Sequence, residues 1–107
     1  MRAAYYERTG PADEVIVVGE LPAPDPGPGE VRVRIAFSGV NPTDYKSRSG
    51  ATGAVSGGFQ VPNQDGAATI DAVGDGVDAG RVGERVWVFF AARGRQWGTA
   101  AEFSVVP

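Results

Sequence analysis

Glycine and proline interrupt this chain so often that long helices are disfavoured. Sixteen glycines and eight prolines are spread among short apolar segments over 107 residues. Short segments that alternate apolar and polar residues between such turn residues are typical of the strands of a β-sandwich or barrel. The length fits one domain, and 42% hydrophobic residues can form a modest core. We therefore predict a single, mainly β domain.

The strand pattern is clearest at residues 31–37, VRVRIAF, where apolar residues alternate with arginines. The apolar side chains at Val31, Val33, Ile35 and Phe37 are expected to share one face of a half-buried strand. Further strands are predicted at residues 2–6, 67–73, 85–91 and 101–106.

The segment before this strand has a different composition. Residues 15–18 form a short apolar run, and GELPAPDPGPGE lies between Val18 and Val31. Four prolines make this segment an extended, solvated connector that is neither strand nor helix.

Residues 39–50, GVNPTDYKSRSG, carry the signals of a short helix. Asn41 is a good N-cap, and Pro42 fits the first helical position. Asp44 suits the positive end of the helix dipole, and Gly50 can end the helix in a left-handed conformation. Two residues of this segment, Tyr45 and the chain's only lysine, Lys46, have no part in building the helix. Locally, they form either a solvated helix face or a substrate contact.

Residues 74–79, GDGVDA, match the glycine pattern of dinucleotide-binding loops. That mechanism needs a helix that opens at the glycines, so that its N-terminus meets the pyrophosphate. The following residues, GRVGERVWVFF, show no helical period and lead into a strand. We therefore predict a tight turn between strands rather than a phosphate loop.

Two loops are candidates for contacts with a ligand. Residues 47–64 are glycine-rich and poor in core-forming side chains, so they either line a site or move freely. A second loop, ARGRQWGT, carries Arg93, Arg95 and Trp97. Its arginines either meet a phosphate or are simply solvated.

Composition excludes several classes of function. The chain has no cysteine and no histidine, so disulfides, catalytic triads with histidine and ordinary zinc sites are excluded. A net charge of −3 argues against a nucleic-acid partner. No apolar run is long enough to span a membrane, and the N-terminus has no signal-peptide core. A cytoplasmic protein is the resulting expectation.

The order of several motifs resembles a known family, the GroES-like N-terminal domain of the medium-chain dehydrogenase/reductase superfamily. The similarity is greatest to its zinc-independent quinone oxidoreductase (zeta-crystallin-like) branch. The resemblance rests on PGPGEVRVRIAFSGVNPTDYKSRSG, then VPNQDGAATIDAVGDGV, then VGERVWVF, then GTAAEFSVVP, in the family's order and over nearly the whole chain.

The resemblance implies a partly open β-barrel with short helices. It also implies an NADPH-dependent reductase of quinones or enones, with a Rossmann domain after this segment. Zinc-binding relatives place a cysteine near Asn41 and a His-Glu pair near Gln64 and Asp65, where this chain has no such ligands. Lysine at position 46 is similar to enone and enoyl reductases, whereas many quinone reductases of this branch have tyrosine there.

The site residues implied by the resemblance are Tyr45 and Lys46 for catalysis, Asn41 and Lys46 for the cofactor, and Asn41, Tyr45 and Gln64 for the substrate. Lys46 or Tyr45 would stabilise negative charge on the substrate oxygen, or Lys46 would bind a cofactor phosphate or hydroxyl. No residue is assigned to a metal.

We expect residues 1–107 to be one GroES-like portion that stops before the cofactor domain. Such a portion would be inactive by itself, and it would self-associate through an exposed strand edge. The alternative is a free-standing β-barrel that binds a partner and does no chemistry.

Overall fold

The computed structural model describes residues 1–107, and short strands dominate it. The elements in chain order are β1 Arg2–Tyr5, α1 Ala12–Val15, β2 Val17–Glu20, β3 Val31–Ser38, α2 Pro42–Arg48, β4 Gly66–Val73, a 3₁₀ turn Ala79–Arg81, β5 Arg85–Val88 and β6 Phe103–Val106. No helix is both long and apolar enough to cross a membrane.

The strands form two antiparallel sheets. One pairs β1 with β2, and the other has four strands in the order β5-β4-β3-β6. Isolated bridges from Ala3 to Ala101 and from Tyr6 to Gln60 tie the first strand to later segments. The strand order does not close, so β5 and β6 remain edge strands of the larger sheet. The prediction of a mainly β fold with short helices is confirmed, and the strands do not close into a barrel.

The inner face of the larger sheet forms the core. Its centre consists of five buried residues from three adjacent strands: Val31, Val33, Ala68, Ile70 and Val88. This face follows the alternation of β3, because side chains two residues apart point to the same side of a strand.

Phe37 departs from the predicted alternation. Ile35 pairs with Ala68, but Phe37 pairs with the preceding residue of β4, Ala67. One extra residue of β3 therefore lies between the two pairs, as in a β-bulge, and the bulge reverses the facing of the strand end. As a result, Phe37 is 76% exposed and does not share the face of Val31 and Val33, which corrects the prediction.

Several element boundaries also differ from the sequence prediction. β2 extends to Glu20, so the first residues of the proposed connector belong to a strand. β5 ends at Val88, because Phe90 takes a positive φ of 54° that a strand does not allow. β6 begins at Phe103 rather than at residue 101. The helical turn α1 was not predicted.

The turn at residues 74–76 is confirmed. Gly76 has a φ of 85°, and no α-helix begins there. The backbone N–H of Gly74 donates to the carbonyl of Glu30 at 2.8 Å, and a Cβ at Gly74 would collide with the carbonyl oxygen of Gly27. The backbone at Gly74 is therefore packed against the connector, and that face of the turn has no room for a phosphate.

Candidate functional site

Helix α2 begins at an asparagine held from two sides. The backbone N–H of Asn41 donates to Oδ2 of Asp44 at 2.6 Å, and Pro42 occupies the first helical position as predicted. The side chain of Asn41 stands in a capping box with the backbone of Asp44 and also donates from Nδ2 to Oδ2 of Asp65 at 3.1 Å. The capping carboxylate therefore comes from Asp44. Gly50 follows the helix with a φ of 106°, also as predicted.

Asp44 is the buried acid of this site, with 8% of its surface exposed. Burial raises the pKa of Asp44, the hydrogen bond from Asn41 opposes this rise, and the nearby charge of Asp65 adds to it. The sequence had indicated Asp44 only as a partner of the helix dipole. The structure gives it a second role, because its carboxylate fixes the backbone of Asn41.

Asp65 connects α2 to the start of β4. Its carbonyl accepts a hydrogen bond from the backbone N–H of Gly39 at 2.9 Å, while its carboxylate contacts Asn41. A Cβ at Gly39 would collide with Oδ1 of Asp65. Glycine at position 39 therefore leaves the space in which the Asp65 carboxylate lies. No local sequence signal indicated the contact between Asn41 and Asp65, which lie 24 positions apart in the chain.

Tyr45 and Lys46 lie on the exposed side of α2. Tyr45 is 54% exposed, and Lys46 is also exposed. The Lys46 ammonium takes part in none of the five salt bridges of the chain. An exposed cation without an internal partner is free to meet an anion or a hydroxyl of a ligand.

The opposite side of α2 borders a polar cavity of about 270 Å³. Asp44 and Ser47 of the helix line it, together with residues 52–56 of the glycine-rich loop and Gln64. Oε1 of Gln64 accepts a hydrogen bond from the backbone N–H of Ala92 at 3.1 Å, so this side chain also holds the loop after β5. Asn41, Tyr45 and Lys46 do not line the cavity.

One arginine of the second loop, Arg95, anchors the loop inside the fold. Arg95 pairs with the carboxylate of Glu30 and also donates to the carbonyl of Val105 at 3.3 Å. The hydrogen bond from Arg95 lowers the pKa of Glu30. Arg93 stacks its guanidinium over the ring of Phe90 at 4.9 Å. Arg95 is therefore part of a structural ion pair. It is neither a solvated residue nor one that is free to bind a phosphate, contrary to both sequence-based alternatives.

The predicted site residues are therefore divided between two sides of one helix. Asn41 lies at its start, Tyr45 and Lys46 lie on its exposed side, and Gln64 lies in the cavity on its other side. Gln64 is joined to this group through its neighbour Asp65. No group of three or more Asp or Glu side chains is close enough to hold a metal ion.

A family model described as the alcohol dehydrogenase GroES-like domain matches residues 27–107. The quinone oxidoreductase of Rattus norvegicus is 31% identical over 94 residues, which cover 88% of this chain and 29% of the rat protein. The trans-enoyl reductase fsr4 of Gibberella fujikuroi is 32% identical over 107 residues, which cover 98% of this chain and 29% of that protein.

A mycobacterial protein, Rv1454c, solved in complex with NADPH, has a similar fold. Its TM-score is 0.85 at 32% identity, and the match covers 100% of this chain and 31% of the mycobacterial chain. The chain therefore spans less than a third of the length of each of these three relatives.

Proposed function

The chain belongs to the alcohol dehydrogenase GroES-like domain family, and from this membership we propose that it is the substrate-side domain of an NADPH-dependent quinone or enone reductase. Relatives named quinone oxidoreductase and trans-enoyl reductase support the reaction class. The single observation that carries the proposal is the arrangement of α2, in which Asn41 is held by two carboxylates while Lys46 remains unpaired and exposed.

The residues on the exposed side of α2 fit a nicotinamide cofactor. Oδ1 of Asn41 faces the backbone of Asp44 in the capping box of α2 and keeps a further lone pair for a ligand, and the Lys46 ammonium has no ion pair within the chain. These two groups could meet a hydroxyl or amide and a phosphate, respectively. NADPH, when bound, supplies the hydride for the reduction. The resemblance to a protein solved with NADPH supports this choice over other cofactors.

Two side chains on α2 are proposed to act on the substrate. Hydride addition to an enone or quinone places negative charge on the substrate oxygen. The ammonium of Lys46 or the phenol of Tyr45 would donate a hydrogen bond to that oxygen and stabilise the charge, or would supply the proton. Gln64 would contribute its amide group from the cavity side. Lysine at position 46 favours an enone or enoyl substrate over a quinone.

We propose that the reaction proceeds without zinc. Zinc sites in proteins are formed mainly by cysteine and histidine, and the chain has neither. By the family resemblance, zinc-binding relatives place a cysteine in the region of Asn41 and a His-Glu pair near Gln64–Asp65, where this chain has no such ligands. Metal analysis after dialysis against a chelator should find far less than one zinc per chain, and stoichiometric zinc would contradict the proposal.

We also propose that residues 1–107 do not transfer a hydride by themselves. The only glycine pattern that matches a dinucleotide site forms the turn at residues 74–76, against which the connector is packed. Holding the nicotinamide against the substrate is a large part of catalysis in such enzymes. A Rossmann domain is therefore the proposed partner, and a small quinone or enone is the proposed substrate.

A chimera tests the proposed function. Residues 1–107 replace the matching part of Rv1454c, which retains the rest of its own chain, and NADPH oxidation is measured with a quinone and with an enone. Turnover that depends on Asn41 and Lys46 supports the proposal. A folded chimera that binds NADPH but reduces neither substrate would contradict it and favour the non-catalytic binding module. Residues 1–107 alone serve as the control and should be inactive.

A further inference from the structure

Three polar side chains form a chain of hydrogen bonds behind the candidate site. Nδ2 of Asn63 donates to Oγ of Ser38 at 2.9 Å, and Oγ of Ser38 lies 2.8 Å from Oγ1 of Thr99. Oγ1 of Thr99 in turn donates to the backbone carbonyl of Asp65 at 2.7 Å. Thr99 is 1% exposed, so water does not compete for its hydroxyl.

The direction of these bonds is fixed by the number of hydrogens. A carbonyl oxygen only accepts, so Thr99 must donate its single hydroxyl hydrogen to the backbone carbonyl of Asp65. Ser38 must then donate to Thr99, and its own oxygen accepts from Asn63. If the Asn63 amide were reversed, Ser38 would need two hydrogens, so only one orientation satisfies all three contacts.

This relay ends at the residue that orients Asn41. The carbonyl of Asp65 accepts from both Thr99 and Gly39, which fixes the backbone from which the Asp65 carboxylate extends. That carboxylate can only accept a hydrogen bond, so it draws Nδ2 of Asn41 toward itself. Oδ1 of Asn41 consequently faces away from Asp65, on the side of the capping box with the backbone of Asp44.

We propose that Thr99 is a positioning residue that, through Asp65, sets the orientation of the Asn41 amide. Asn41 then presents the lone pair of its carbonyl oxygen that the capping box leaves free to a hydrogen-bond donor on the ligand, such as a carboxamide N–H or a hydroxyl. This last step rests on the proposed function, because it requires that Asn41 faces the ligand. The orientation of Asn41 itself depends only on contacts within the chain.

The side-chain amide of Asn41 can be observed directly by NMR. The chain has only two asparagines, Asn41 and Asn63, so the amide signals can be assigned by substitution. Thr99→Val keeps the shape of the side chain and removes its hydroxyl, whereas Thr99→Ser keeps the hydroxyl. We expect Thr99→Val to shift the Asn41 amide signals and to speed their exchange with water several-fold. Thr99→Ser should restore values close to the unmodified chain.

Ser104→Ala is the matched control. Ser104 is also fully buried, and its hydroxyl donates to the carbonyl of Trp97 at 2.8 Å, on β6 and outside the relay. It should leave the Asn41 amide unchanged. Unchanged Asn41 signals in Thr99→Val, or an equal effect of Ser104→Ala, would overturn the proposal. If Thr99→Val does not fold, Ser38→Ala at an exposed strand end replaces it. Ser38→Ala should shift both asparagine amides, and no shift at Asn41 would likewise overturn the proposal.

The same variants in the chimera separate this proposal from the proposed function. If the relay orients Asn41 for a donor on NADPH, Thr99→Val should weaken NADPH binding several-fold and Thr99→Ser should rescue it. An NMR effect at Asn41 in an inactive chimera would leave the relay intact and reject the proposed function. An active chimera in which Thr99→Val leaves the Asn41 signals unchanged would reject the relay and support the proposed function.

Discussion

At the scale of single residues, Asn41 and Lys46 differ in how much the chain restrains them. Asn41 is fixed through its backbone by Asp44 and through its side chain by Asp65. Lys46 is exposed and has no ion pair. A restrained amide is suited to recognise one part of a ligand, whereas a free ammonium can follow charge that develops during a reaction.

We expect Lys46→Ala in the chimera to lower turnover more than it weakens NADPH binding. Loss of a donor to the substrate oxygen removes stabilisation of the transition state, and such a loss lowers turnover by about 100-fold. Lys46→Arg, which keeps the charge, is the matched variant and should lose less. Steady-state kinetics and a titration with NADPH separate the two effects. Weaker NADPH binding with intact turnover would make Lys46 a cofactor contact instead.

Gly39→Ala should displace the Asp65 carboxylate from Asn41. The added Cβ would occupy the position of Oδ1 of Asp65, so the side chain or the strand end must move. Such overpacking lowers the free energy of unfolding by about 1–3 kcal/mol. Gly19→Ala is the control, because its Cβ would meet only ordinary contacts of 3.7 Å or more. Urea unfolding measures both variants, and equal stabilities would refute the close approach.

The residues of the site were only partly predictable from the sequence. Asn41, Pro42 and Gly50 could be placed because capping signals act over a few residues. The contact between Asn41 and Asp65 and the relay through Thr99 could not, since they depend on how distant segments meet in the folded chain. Gly39 is the one site residue whose type reflects this contact, because only glycine leaves room for Asp65. A glycine in the sequence, however, does not indicate which residue lies against it.

At the scale of elements, strands were easier to predict than their ends. The alternation of apolar and polar residues in β3 and β4 indicates one buried face in each strand, because it reflects burial of one side of a sheet. The bulge before Phe37 and the positive φ of Phe90 depend on pairing with neighbouring strands and on later turns. The ion pair of Glu30 with Arg95 links the start of β3 to the loop after β5 and, through Val105, to β6.

The ion pair of Glu30 with Arg95 should make the free energy of unfolding fall at acidic pH. Arg95 lowers the pKa of Glu30 below its ordinary value of 4.5. The folded chain therefore binds fewer protons at Glu30 than the unfolded chain does. The stabilisation is complete above about pH 4.5 and is lost as the pH falls through the lower, folded pKa. Asp44 has the opposite effect on stability. Its pKa is raised in the folded chain, so its ionisation at higher pH lowers the free energy of unfolding.

Glu30→Gln isolates the contribution of this pair. The side chains of Glu30 and Arg95 are 22% and 30% exposed, so at neutral pH we expect a loss of about 1–2 kcal/mol in the free energy of unfolding. The difference from the unmodified chain should shrink below pH 4.5. Glu84→Gln, in the exposed pair with Arg81, is the control and should change little. Urea unfolding over a pH series decides, and a difference that does not vary with pH would contradict the assignment.

At the scale of the whole molecule, large aromatic side chains cover one end of the outer surface of the four-stranded sheet. Phe37 and Trp87 each pair with Ala67 and therefore lie in one row across β3, β4 and β5. Phe89 packs against Trp87 with ring centroids 5.3 Å apart, and Phe90 packs against Phe89 at 5.5 Å. We call Phe37, Trp87, Phe89 and Phe90 the aromatic face. Their exposed fractions are 76%, 74%, 61% and 54%. Monomeric proteins rarely leave so many aromatic side chains exposed together.

The aromatic face should make residues 1–107 self-associate. Aromatic side chains of 150–250 Å² each, exposed to this degree, present roughly 500 Å² of apolar surface. A standard-size protein–protein interface buries about 800 Å² per partner, and homodimer interfaces are about two-thirds apolar. The face therefore provides nearly the whole apolar part of such an interface, and the unpaired edge of β5 lies beside it. A second copy of the chain, related by a two-fold axis, can cover both.

Sedimentation equilibrium over a concentration series tests this expectation. Trp87→Ser and Phe89→Ser should each shift the chain toward the monomer, because each removes a central part of the apolar surface. Val18→Ser is the matched control, since Val18 is 70% exposed but lies on β2 in the other sheet. In the chimera, a Rossmann domain that covers the aromatic face would prevent association through it. Trp87→Ser and Phe89→Ser would then leave the association state of the chimera unchanged. A strictly monomeric chain at high concentration, or an equal effect of Val18→Ser, would show that the aromatic face does not drive association.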